Sequence, residues 1–104
     1  MSQSSKPKIV VELRKLLQPL IPDFLEHRRQ DVTRLRAALG KGDYDAIRDL
    51  GHNLKGLGGA YGFHPITSLG SEIEESARAE NSERIKVATE RLADYLDHIE
   101  VVFT

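Results

Sequence analysis

Gly51-His52-Asn53-Leu54-Lys55-Gly56-Leu57-Gly58-Gly59-Ala60-Tyr61-Gly62-Phe63 is the stretch whose reading decides the fold. It is patterned like a helix and composed unlike one. Four of the seven residues from Gly56 to Gly62 are Gly, and each Gly costs about 1 kcal/mol relative to Ala inside a helix. Against that, Ile47, Leu50, Leu54, Leu57 and Tyr61 recur at helical spacing. On a wheel of about 100° per residue these five fall in one sector, and His52 lands roughly 170° from its middle. Arg48, Lys55, Gly56 and Gly59 fall within roughly 60° of His52 on that wheel. The exposed face is thus one histidine, two cations and two residues without side chains. Lys55 and Gly56, three and four positions after His52, are its surface neighbours. Bare Gly lets a large partner approach the imidazole closely, and the cations suit a ligand with negative charge. Neutral imidazole offers a nitrogen lone pair near pH 7 and forms covalent intermediates. The arrangement implies a surface nucleophile that another protein must reach.

The remaining stripes define further helices. Ile21, Phe24, Leu25, Val32, Leu35 and Leu39 mark one over roughly 21–39, stopped by Gly40-Lys41-Gly42. Asp43 is suited to cap the central helix, with Asp45 in its first turn. That helix ends near Gly62. His64-Pro65 starts the next, with stripe Ile66, Leu69, Ile73 and Ala77. Asn81 or Ser82 caps the last, where Ile85, Ala88, Leu92, Leu96, Ile99 and Phe103 carry the period to the end. Ahead of them, Met1 to Lys6 reads as a disordered tail. Pro7 is placed to open a short extra helix striped by Ile9, Val10, Leu13, Leu16 and Leu17. No strand pattern or internal repeat is read. The expected fold is all-α: an up-down antiparallel four-helix bundle with an extra short N-terminal helix, forming a single domain over 7–104.

Composition narrows the function. The chain has 104 residues, 39% hydrophobic and 30% charged, as in ordinary soluble globular domains. Net charge is −1, which gives no global field toward nucleic acid or membrane. There is no Cys, so a disulfide framework and thiolate metal sites are excluded. The Gly run lacks Gly-Lys-Ser/Thr, and no strand precedes it, so it is not a nucleotide-phosphate loop. His27, His64 and His98 do not sit at metal-ligand spacing and read as solvated or partly buried. No metal or cofactor is expected on the chain. A cytoplasmic monomer is the default reading.

His52-x-Leu54-Lys55-Gly56, followed five residues later by Gly62, resembles the motif of histidine-containing phosphotransfer (HPt) domains. Gly42-Asp43, the following Ala46 and Leu69…Ile73-Glu74 also resemble that family. The Gly62-Phe63 ending is similar to the phosphorylatable P1 domain of chemotaxis histidine kinases. The resemblance runs from about Pro22 to the C-terminus. Two residues depart from the pattern. Gly51 stands where Ala is common and has no functional reading at this level. Leu57 stands where a small polar residue is common, and its place in the apolar sector packs it inward.

The resemblance implies a phosphocarrier of a two-component phosphorelay rather than an enzyme. His52 would take a phosphoryl group from a receiver-domain aspartate and pass it to another receiver, with Mg²⁺ on the partner receiver domain. Lys55 would pair with phosphoryl oxygens, while Arg48, Gly56 and Gly59 would form the docking surface. In P1 domains a glutamate matching Glu74 hydrogen-bonds the histidine. Here a carboxylate accepting from Nδ1–H would leave Nε2 as the nucleophile. The implied partners are response-regulator receivers and a histidine kinase. The competing readings are a P1-type phosphoacceptor domain of a larger kinase, and a non-catalytic helical adaptor of the same fold.

Overall fold

The structure, a computed structural model, describes residues 8–104. The expected disordered tail over 1–6 and the helix start at Pro7 lie outside the described residues. Four helices carry the apolar stripes: α1 (Ile21–Lys41), α2 (Tyr44–Tyr61), α3 (His64–Arg78) and α4 (Ser82–His98). Local chemistry sets their ends. Pro22 lies in the first turn of α1, where its missing N–H costs no helix bond. Gly42 ends α1 at φ 67, and Asp43 N–H returns to Ala38 O at 2.9 Å. The same cap closes α2: Gly62 has φ 87, and Phe63 N–H donates to Gly58 O at 2.8 Å. At the N-termini, Asp43 accepts from Ala46 N–H and Asn81 from Arg84 N–H, each at 3.1 Å.

The helices pack in sequence order, α2 most extensively on α3, and α4 returns against α1 to close the ring. Every helix supplies fully buried side chains: Leu35 from α1, Ile47 and Leu54 from α2, Ile66 and Ile73 from α3, Ile85 and Leu92 from α4. The last three pairs are each two turns apart, so each helix presents one ridge to the core. Each of these side chains contributes about 1.5–3 kcal/mol by leaving water. Phe63, in the α2–α3 connection, is also fully buried. It stacks on Phe24 with ring centroids 5.3 Å apart and plugs that end of the bundle.

The two chain ends correct the expected fold. Residues Ile9–Leu13 are a strand, β1, not part of an extra N-terminal helix, and only a 3-10 helix, Lys15–Leu20, follows it. The last helix stops at His98, and Ile99–Phe103 forms β2. The strands pair in parallel, from Ile9 opposite Ile99 to Leu13 opposite Phe103. Ile9, Val10 and Val11 face Ile99, Val101 and Val102 across or beside this ladder, and β-branched side chains favour a pleated surface over a helix. Val11 and Leu13 turn inward, as do Ile99, Val101 and Phe103. That is the two-residue period of a half-buried strand. Helix α1 also runs two residues past the expected stop at Leu39. No described helix is long and apolar enough to cross a membrane.

Candidate functional site

Two glycines decide how α3 lies on α2. A Cβ on Gly51 would sit 2.7 Å from Glu74 N and 2.9 Å from Gly70 O. A Cβ on Gly70 would sit 2.5 Å from Lys55 N and 2.8 Å from Gly51 O. The helices therefore touch backbone to backbone, an approach that side chains at either position would forbid. Gly58 repeats the contact lower down, against Thr67. Thr67 Oγ1 donates to Lys55 O at 3.0 Å and locks the register of the two helices.

The close crossing has a chemical consequence. His52 follows Gly51 by one residue, and Glu74 follows Gly70 by one turn. Glu74 is thereby carried to the side of the imidazole: its Oε2 lies 3.2 Å from His52 Nδ1. His52 itself faces solvent, its side chain 69% exposed, whereas the Glu74 side chain is only 8% exposed. Two cations reach the same carboxylate. Lys55 Nζ is 3.6 Å from Oε1, and Arg78 Nη2 donates to Oε2 at 3.0 Å.

Desolvation by the packed helices pushes the Glu74 carboxyl upward. The hydrogen bond from His52 and the positive charges of Lys55 and Arg78 outweigh it, so the group ionises below its ordinary range. An ionised carboxylate only accepts, so His52 must donate to it from Nδ1–H. A neutral ring held in this way keeps its lone pair on the solvent side, at Nε2. A group whose folded value is depressed adds stability above its unfolded value and loses it as pH falls through the folded one. Wild type should therefore exceed Glu74→Gln in urea stability at neutral pH. The gap should close in acid below the carboxylate range, and a gap that widens in acid would contradict the assigned charge.

The structure brings His52, Lys55 and Glu74 together. Around them the surface is bare: a Cβ on Gly56 would meet nothing within 4 Å, and one on Gly59 only Thr67 Oγ1 at 3.6 Å. Arg48 is not part of the cluster. It lies 3.8 Å from both Asp45 and Asp49 on its own helix. Three residues that matter escape the sequence reading. Gly51 and Gly70 position the helices, and Arg78 holds Glu74. The signals were faint: Gly51 flanks the apolar sector of α2, and Arg78 sits one turn after Glu74.

Residues 19–101 match the family described as the Hpt domain. This chain belongs to that family. No curated protein and no solved structure matches it significantly. Hpt domains are phosphocarrier modules that serve histidine phosphotransfer in two-component phosphorelays, between kinases and receiver domains. The matched span of this Hpt domain takes in all four helices and leaves β1 outside.

Proposed function

We propose that this Hpt domain carries a phosphoryl group on His52 Nε2, taken from the aspartyl phosphate of one receiver domain and given to the aspartate of another. One observation carries the reading: the exposed imidazole is anchored through Nδ1 to Glu74, so its lone pair points away from the bundle. In the forward step the Nε2 lone pair forms the N–P bond as the acyl P–O bond breaks, and the receiver's carboxylate leaves with that electron pair. Nδ1 keeps its proton, so the phosphorylated ring carries a formal positive charge beside ionised Glu74. Lys55, on the solvent side of that carboxylate, pairs with the phosphoryl oxygens. Transfer runs in reverse when the second aspartate attacks. Mg²⁺ is expected on the receiver, and none of this chain's residues is assigned to it.

The domain acts as a carrier, with the chemistry shared between it and its partner. Its two- and three-residue connections support an up-down antiparallel arrangement of the helices. We place it in the cytoplasm as a monomer, with no role for nucleic acid or membrane. The test is intact-protein and peptide mass after mixing with a phosphorylated receiver domain and Mg²⁺ at neutral pH. An acid-labile phosphoryl group on the peptide holding His52 is expected. No modification from several receivers or from a histidine kinase core would favour the adaptor reading instead.

Docking would use the bare surface of Gly56 and Gly59, with Arg48 at its edge. Gly56→Leu should weaken receiver binding by about 2 kcal/mol, roughly thirtyfold, by filling the centre of that contact. It should not weaken the fold, because Leu is about 0.8–1 kcal/mol better than Gly in a helix and the site is open. Titration calorimetry beside urea unfolding separates the two effects. Unchanged affinity would remove Gly56 from the interface.

A further inference from the structure

Glu74 holds two cations where one would balance it. Its Oε2 already accepts from both Arg78 and His52, at 3.0 and 3.2 Å. Lys55 stands alone on Oε1, at 3.6 Å, which is an ion pair without a hydrogen bond. The two cations also differ in attachment. Arg78 lies one turn from Glu74 on the same helix and donates one hydrogen bond to it. Lys55 reaches across from α2 on a flexible stem, to an ion pair without a hydrogen bond. Of the two, Lys55 is the one free to leave.

Leaving has a cost unless something remains behind. A carboxylate 8% exposed cannot stand without a compensating charge. We propose that Arg78 is a positioning residue of the phosphoryl-acceptor site: it stays on Glu74 and so releases Lys55 to the incoming phosphoryl group. This rests on the phosphocarrier reading above. Before transfer, both cations share one anion. After it, the site holds two anions, Glu74 and the phosphoryl group, and three cations, because the ring has become charged. The charged ring and Arg78 stay on Oε2, while Lys55 turns outward. In the absence of Arg78, Lys55 would be the only cation on Glu74 until the ring is phosphorylated, and would be held there while the phosphoryl group arrives.

Among the described residues, the titratable and charged groups within reach of Glu74 are His52 and Lys55 from α2 and Arg78 from α3. All three favour its ionised form. The Arg78 side chain is 63% exposed, so screening limits its weight.

The test uses phosphoramidate as a small phosphoryl donor, which removes receiver docking from the measurement. Initial rates of phosphorylation are compared for wild type, Arg78→Gln, Arg78→Lys, Lys55→Ala and Lys55→Ala/Arg78→Gln. Arg78→Gln is expected to slow acceptance about three- to fivefold, the weight of a partly exposed ion pair. Arg78→Lys should restore most of the rate. In the Lys55→Ala background, Arg78→Gln should cost nothing further, because no lysine is left to release. A full additional loss in that background, or an unchanged rate in Arg78→Gln, would overturn the proposal. A second readout needs no phosphoryl transfer: the ¹³C carboxyl titration of Glu74 should move upward in Arg78→Gln, and a fixed midpoint would also overturn it. Wild type that takes no phosphoryl group from phosphoramidate or from receivers would defeat the phosphocarrier reading itself. That failure is recognisable because the carboxyl titration would still respond to Arg78.

Discussion

Gly70→Ala is expected to lower the unfolding free energy by about 2 kcal/mol, although Ala is the better helix former. The propensity gain is about 1 kcal/mol. Opposing it, the added methyl would lie 2.5 Å from Lys55 N, 2.8 Å from Gly51 O and 2.9 Å from Leu54 C. All three are backbone atoms of α2, so none can rotate out of the way. Helix α3 must lift off α2, and overpacking of that kind costs about 3 kcal/mol. For a domain of this size the net loss is a large share of total stability. The damage should reach the site, because Glu74 follows Gly70 by one turn and would retreat from His52 Nδ1. Urea unfolding measures the first effect. The ring ¹⁵N shifts of His52, which report the nitrogen carrying the proton, measure the second. Gly40→Ala is the control: a Cβ there meets nothing within 4 Å, so the same exchange should stabilise by up to about 1 kcal/mol. Equal stability for Gly70→Ala and wild type would mean that the helices do not cross at this glycine.

That contrast explains what the sequence could disclose. Helix boundaries were legible because their chemistry is local. Gly42 and Gly62 adopt the left-handed caps, and Asp43 and Asn81 close the next helices, each within a few residues of the end they mark. The outward face of α2 was legible because a helix wheel needs no partner: His52, Lys55, Gly56 and Gly59 are all exposed. The strands were not legible. Ile9 pairs with Ile99, across nearly the whole chain, and the apolar residues from Ile9 to Leu13 satisfy a helical period and a strand period equally well. Nor was Gly51. Its role depends on Gly70 opposite it, and no periodicity within one helix reveals what another helix presents. Glu74 lies between these cases. Its place at the flank of the α3 stripe was visible, its proximity to His52 was implied by the family resemblance alone, and the glycine crossing supplies the physical reason.

His52→Gln is expected to abolish phosphoryl acceptance and leave the fold intact. The His52 side chain is largely solvent-exposed, and its polar contact runs through Nδ1 to Glu74. Glutamine offers an amide N–H to the same carboxylate, so unfolding free energy should change by no more than about 0.5 kcal/mol, as at other surface sites. What it removes is the ring lone pair, and an amide nitrogen, its pair delocalised into the carbonyl, cannot take its place. The loss should therefore be complete by intact mass, with receiver affinity retained, because the bare glycine surface is untouched. Three other histidines make the experiment discriminating. His98 is half-buried, with Nδ1 2.8 Å from Asp94 O. His27 and His64 are exposed, outside the group formed by Glu74, Lys55 and Arg78. If exposure alone made a histidine a phosphoryl acceptor, His27 or His64 would still be modified in His52→Gln. If the carboxylate anchor and the bare surface are what matter, the variant stays unmodified. A phosphoryl group retained by the variant would thus refute the role assigned to the whole α2–α3 cluster, not merely to one side chain.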